Sequence, residues 1–268
     1  MTGAVAAAAG GGCHIFSGCG FPAPGLQDFI WTPIFTIGSF GFTKPMLLAI
    51  LAAVVVIGFF WAAFRKPKLI PGRTQSLGEM AILGVRDQIL RPSLGARGDS
   101  YLPFLVSLFF FIYIMNVMEL IPLLQFPVTS RIGFVWPMVF IVYFLYLYLG
   151  FKHQGVWGYF RTMIPPGVPA PIYLILVPVE LLRFFVFQPF TLGVRLFGNM
   201  FAGHLLLTIF YLASWYLLSL SVGLVYAAGS FALAIFVFLL ETLVTLLQAF
   251  IFTTLTATYI ASSLESSH

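Results

Sequence analysis

Apolar residues run through this chain in long blocks, and polar positions fall mostly between them. Pro45–Phe64 gives twenty residues without a charge, closed by Lys44 on one side and by Arg65 and Lys66 on the other. Twenty residues at about 1.5 Å per residue match a hydrocarbon layer of about 30 Å, so this block predicts a membrane-crossing helix. Tyr101 to about Pro122 predicts a second crossing, with Asn116 and Glu119 near one end, and Phe134–Phe151 predicts a third. The 91 residues from Ile172 to Ser262 contain only Glu180, Arg183, Arg195 and Glu241 as charges, plus His204. They read as two helical arms of roughly 40 residues, about 60 Å each, which exceeds the bilayer and requires steep tilting. The turn is expected near Ser221 to Ser230, where Gly223 and Gly229 interrupt the pattern, and a break is expected near Pro189.

Residues 73–91 (RTQSLGEMAILGVRDQILR) mix apolar and charged positions at helical spacing. They are too polar to span and predict an amphipathic helix on the membrane surface. The fold expected is therefore an all-α integral membrane protein of five membrane-crossing helices plus a surface amphipathic helix, the last two crossings forming a long, strongly tilted hairpin. Residues 1–44 form an external N-terminal segment, and 45–268 form a single membrane domain with spans at 45–64, 101–122, 134–151 and a hairpin at 172–262.

Composition supports the same solvent. The chain is 60% hydrophobic and 8% charged, whereas soluble domains carry roughly a quarter charged residues, so no water-facing surface can be built from it. The formal charge of +5 does not indicate nucleic acid, because the basic residues bracket apolar runs. Arg65, Lys66, Lys68, Arg73, Arg86, Arg91 and Arg97 cluster between the first two spans, and Lys152 and Arg161 follow the third, against Lys44 and Arg131 on the other side. That asymmetry puts the first loop in the cytoplasm, the N-terminus outside and the C-terminus inside. The opening MTGAVAAAAGGG lacks the basic start and long apolar stretch of a signal peptide and reads as a flexible tail. Cys13 and Cys19 fall on the outer side, and their spacing fits a disulfide and two free thiols equally.

The polar residues inside the last two arms carry the chemistry. An arginine at mid-membrane depth costs several kcal/mol and cannot shed its proton. Arg195 has apolar sequence on both sides, so snorkelling from a helix end is the weaker account of it. Asn199 is one turn on and shares its face. His204, nine residues on, turns to roughly the opposite side and lies about 13 Å further along the axis. On the second arm Glu241, Thr245, Gln248 and Tyr259 form one stripe. In a single antiparallel register Arg195 faces Gln248 and His204 faces Glu241. Hydrogen-bonded pairs that only hold the hairpin together account for His204 and Glu241. They leave Arg195 without an anion, which another subunit or a ligand must supply.

TLGVRLFGNMFAGH (Thr191 to His204) and LLQAFIFTTLTATYI (Leu246 to Ile260) resemble subunit a of the F-type ATP synthase membrane sector. MNVMELIP (Met115 to Pro122) resembles that family's polar second-span motif, and CHIFSGCGFPAPGL resembles an actinobacterial version. The resemblance implies a non-catalytic proton-channel subunit of a bacterial plasma membrane. It implies as partners a ring of c subunits, the b subunits of the peripheral stalk, the remaining ATP synthase subunits and the lipid bilayer. It implies no cofactor, no metal and no nucleic acid. Arg195 matches the arginine that faces the ring and keeps each passing carboxylate ionised, and Asn199 and Gln248 match the polar residues beside it. His204 and Glu241 match the pair lining the outer half-channel; some bacterial relatives exchange the two residue types. Glu119 matches an acidic position at the outer entrance, with a rim residue snorkelling to water as the close second reading. Glu180 and Tyr259 are the candidates for the inner half-channel, with Arg183 placed to neutralise Glu180.

Two other classes fit less well. A secondary transporter built on internal repeats would show broken helices in matching halves, and the chain shows no such repeat. A metalloenzyme would need more ligands than His204 and Glu241 supply.

Overall fold

The computed structural model describes residues 35–37, 40–121, 124–162, 170–217 and 222–264. Cys13, Cys19 and most of the external N-terminal segment lie outside the described residues. The first described element is a two-strand antiparallel ladder of β1 (Phe35–Ile37) and β2 (Phe40–Phe42), pairing Phe35 with Phe42. It is an addition to the helical expectation, favoured by a run of aromatic and β-branched residues.

Helix α1 (Lys44–Phe64) opens with Pro45 in its first turn, where the missing N–H costs nothing. It is apolar all round, and Ile50, Leu51, Val54, Val55, Ile57 and Trp61 stay exposed because lipid, not protein, is their solvent. Helix α2 (Arg73–Val85) runs into a π-helical turn (Arg86–Leu90), a short α3 (Arg91–Leu94) and a 3-10 segment (Gly95–Tyr101). This is the amphipathic helix expected at 73–91. It docks on α1 where Gly78 meets Ala63 and Phe64; a Cβ at Gly78 would come within 2.8 Å of the Ala63 Cβ.

Helix α4 (Leu102–Val117) is shorter than the expected 101–122 span. The chain leaves the helix in turns closed by Glu119 N–H to Asn116 C=O and Leu120 N–H to Val117 C=O. Helix α5 (Ile132–Thr162) extends beyond the expected 134–151 and absorbs the segment with Lys152, His153 and Arg161 that read as a loop. It bends sharply at Gly155 (φ 71, ψ 162), a conformation open only to glycine, and Tyr159 then folds back over Gly150.

The last arms are α6 (Ala170–Leu182), a π-helical turn (Arg183–Phe187), α7 (Gln188–Tyr216) and α8 (Val222–Leu264). The break expected at Pro189 is instead this widened turn just before it. A proline cannot donate to the carbonyl four residues back and crowds it, and one π turn relieves both constraints without ending the helix. The described part of the first arm ends in α7 at Tyr216 and α8 begins at Val222, so Gly223 and Gly229, expected in the turn, lie inside α8. Glycine without a nearby proline or cap weakens a helix but does not stop it. Among the described residues, five helical stretches are long and apolar enough to cross a membrane: Lys44–Phe64, Gly98–Val117, Ile132–Gly155, Leu174–Tyr216 and Gly223–Leu264.

Helix α8 is the axis of the packing. It pairs most extensively with α7 and also packs on α4 and α5. Around it Leu105, Ile112, Val139, Leu196, Phe252 and Ile260 are fully buried. The helix is inverted relative to a soluble one. Glu241, Thr245, Gln248, Thr256 and Ser263 point inward, while Leu239, Leu240, Leu243, Leu246 and Leu247 are exposed. Polar groups that cannot face lipid are turned into the bundle, where Gln248 accepts from Asn199 of α7 and the Thr256 and Ser263 hydroxyls donate to carbonyls of their own helix.

Candidate functional site

Two polar levels are built between α4, α7 and α8. The first joins Glu119, His204 and Glu241. Glu119 sits just past α4 and is 4% exposed, which removes the reading of a rim residue snorkelling to water. Its Oε1 lies 3.0 Å from His204 Nδ1. His204 thus bonds a carboxylate from the second span rather than the expected Glu241, because the tight turns after Val117 bring Glu119 into the bundle. The Phe126 ring packs edge-to-face with the imidazole, their centroids 5.7 Å apart.

Glu241 is buried on the neighbouring stretch of α8 and lies within electrostatic reach of Glu119. Its carboxyl group occupies the space a side chain would take at Gly203: a Cβ built there would collide with the carboxyl carbon and oxygens. The residue opposite Glu241 is Gly203, one position before the expected His204, and Gln248 is bonded by Asn199, one turn past the expected Arg195. Glu119 Oε2, Glu241 Oε1, Thr245 Oγ1 and Asn116 Nδ2 are buried with no hydrogen-bond partner among the described residues. Beside them Thr129 Oγ1–H donates to Asn116 Oδ1 at 2.5 Å.

The second level holds Arg195, Asn199 and Gln248. Asn199 Nδ2 donates to Gln248 Oε1 at 2.8 Å, tying α7 to α8. Arg195 stands at the midpoint of the Leu174–Tyr216 stretch, on the outward face of α7. Exposed near it on its own helix are the apolar Phe190 and Val194, with the polar Thr191 and Asn199 one turn to either side. Among the described residues no carboxylate forms an ion pair with it. The positive charge is therefore presented outward, beside a polar pair joined by one hydrogen bond in which Gln248 Nε2 is buried without a partner among the described residues.

Beyond Arg195, Tyr259 is half-buried, lies tilted against the Tyr146 ring at 5.7 Å, and is within electrostatic reach of Arg195 and Arg183. Tyr146 is buried with its hydroxyl unpartnered among the described residues. Glu180 is bridged to Arg183 at 2.5 Å, as the alternative for that pair expected. No group of three or more His, Cys, Asp or Glu side chains able to hold a metal occurs among the described residues.

Residues 46–261 match the family model described as the ATP synthase A chain. The chain belongs to that family. It is 44% identical over 262 residues to an ATP synthase subunit a of Streptomyces lividans, covering 96% of this chain and 92% of the relative. It is 39% identical to that of Frankia alni over 91% of this chain and 86% of the relative, and 37% identical to that of Hyphomonas neptunium over 84% and 88%. As a member of the ATP synthase A chain family it is a multi-pass, non-catalytic subunit of the proton-translocating membrane sector, working in a complex with other subunits.

Sequence reasoning named the carboxylates, imidazole and amides of both levels. It missed Gly203, Thr129 and Phe126. Gly203 carries a signal, since Ala202–Gly203 is a pair of small residues beside a buried titratable one. Phe126 lies in a loop and Thr129 in a single 3-10 turn (Val128–Ser130) too short to show periodicity, and nothing in the sequence ties them to His204.

Proposed function

We propose that this subunit offers two offset half-channels to a ring of c subunits and that Arg195 separates them. Protons enter from outside through the level of Glu119, Glu241 and His204, and protonate a ring carboxylate. The ring turns, and the carboxyl gives up its proton when it reaches Arg195. The observation that carries the reading is the outward guanidinium at the middle of a membrane helix, without an ion-pair partner among the described residues. A fixed charge in such a setting needs an anion from outside the chain. A moving carboxylate meets that need, and it is ionised only while it stands beside the arginine.

The buried oxygens of Glu119, Glu241 and Thr245 without partners among the described residues support a hydrated entry path, since such atoms ordinarily hold ordered water. A carboxylate and an imidazole in contact can pass protons near neutral pH. Asn199 and Gln248 keep the arginine's surroundings polar. Tyr259, with Glu180 further along, serves the inner path. The N-terminus lies outside and the C-terminus in the cytoplasm of a bacterial plasma membrane, and the b subunits of the peripheral stalk hold the chain against the ring. The 43-residue α8 would be about 64 Å long, twice the hydrocarbon thickness, so the hairpin of α7 and α8 tilts steeply.

The test is Arg195→Ala in vesicles carrying the assembled complex. Loss of proton-driven ATP synthesis is expected, with a passive leak where the two half-channels are no longer separated. Coupled synthesis at the normal rate would end the proposal.

A further inference from the structure

The end of α1 carries a feature that proton translocation does not use. Just past Phe64, the segment Arg65–Arg73 holds Arg65, Lys66, Lys68 and Arg73 with no acidic residue. An open cleft of about 390 Å³ lies here, lined by Arg65, Lys66, Lys68, Gly72, Thr74 and Gln75 among others. The cleft is built, not incidental. Gln75 is 8% exposed, its Oε1 accepts from Lys68 N–H at 3.0 Å and its Nε2 donates to Lys68 C=O at 3.0 Å, so the loop is clamped at its middle. Pro67 and Pro71 stiffen the loop on either side. Among the described residues none of the four cations forms a salt bridge.

The apolar surroundings fix the kind of anion. Leu69 and Ile70 project wholly free of the protein, at 105% and 87% exposure, directly beside the cleft. Leu77, Met80 and Leu83 continue an exposed apolar side along α2. Trp61, one turn before the end of α1, is exposed and carries the Arg65 guanidinium 4.8 Å above its ring. An exposed tryptophan under a basic residue at a span's end marks the headgroup level. Acyl chains can lie against Leu69, Ile70 and Leu77 while a phosphate enters the cationic cleft above them.

We infer that the cleft at the end of α1 binds the headgroup of an anionic phospholipid, with Leu69 and Ile70 seated in its acyl region. The inference rests only on α1 crossing the membrane, and is independent of the half-channel proposal. A soluble phosphate would use the same cations but would gain nothing from Leu69 and Ile70. A cation near an anionic headgroup strengthens binding about fivefold, so removing three should lose on the order of a hundredfold.

Vesicles carrying the assembled complex, doped with photoactivatable phosphatidylglycerol or phosphatidylcholine, test this by mapping the labelled peptides. Phosphatidylglycerol should label residues 61–80 well above phosphatidylcholine. R65Q/K66Q/K68Q should reduce that labelling to the phosphatidylcholine level, and K66R/K68R should retain it. If the triple variant does not assemble, K66Q and K68Q singly should each lose about fivefold. Leu69→Ser with Ile70→Ser should weaken labelling while the charges remain. Equal labelling by the two lipids would overturn the inference. Displacement of the label by millimolar inorganic phosphate would also overturn it, by making the cleft a site for free anions.

Discussion

Gly203 gives the sharpest handle on the outer level, because it is where the fold makes room for a carboxylate. In Gly203→Ala the new Cβ would collide with the Glu241 carboxyl group, whereas at Gly198, five residues earlier on α7, a Cβ meets nothing within 4 Å. Both substitutions gain about 1 kcal/mol of helix propensity. At Gly203 the obstacle is the far end of a flexible side chain, so the helices need not separate. To reach ordinary van der Waals distance the carboxyl must retreat by roughly 1 Å. The overpacking cost of about 1–3 kcal/mol then largely cancels the propensity gain, and the melting temperature should stay near wild type. Proton passage should not stay there. A proton relay needs heavy atoms within about 3 Å, and a displacement of that size costs on the order of tenfold to a hundredfold in rate. The assay is ATP-driven acidification of inverted vesicles, read by quenching of a pH-sensitive dye, with thermal denaturation of the complex alongside. Gly198→Ala should pump normally and melt slightly higher. If Gly203→Ala pumps like Gly198→Ala, the position of the Glu241 carboxyl does not govern entry, and the reasoning fails.

Glu119 and His204 act through one contact, so E119Q and H204A should each slow pumping, and the double variant should be no slower than the worse single one; additive losses in a double-mutant cycle would place them on separate paths. Gln248→Leu strands the Asn199 amide that now donates to Gln248 Oε1; it should destabilise the α7–α8 pair by about 1–3 kcal/mol, seen as earlier thermal release of the subunit, and unchanged melting would show the bond to be dispensable. Gly155→Ala forces a side chain into φ 71, ψ 162 at a cost on the order of 1–3 kcal/mol, which should loosen the end of α5 and raise proteolysis around 152–162, and an unchanged cleavage rate would count against the kink.

The sequence by itself determined the solvent, the number of crossings and the identity of the costly residues. Membrane insertion is a local property: Pro45–Phe64 or Gly223–Leu264 is apolar enough to span whatever lies beside it, and Arg195 or Glu241 is expensive in such a helix regardless of its neighbours. The face of α8 that buries Glu241, Thr245 and Gln248 was legible for the same reason, since helical periodicity sets it. What only the tertiary structure decided was partnership. Nothing in the spacing of MNVMELIP says that the chain leaves α4 at Val117 and carries Glu119 back onto His204, because that depends on turns and on a third helix distant in sequence. The one-residue difference that sets Gly203, rather than His204, against Glu241 depends on how closely α7 and α8 approach, which is a matter of side-chain volume across two helices. The π-helical turn before Pro189 likewise came from three-dimensional relief, a wider turn being cheaper here than a broken helix in a setting without water to satisfy freed backbone groups.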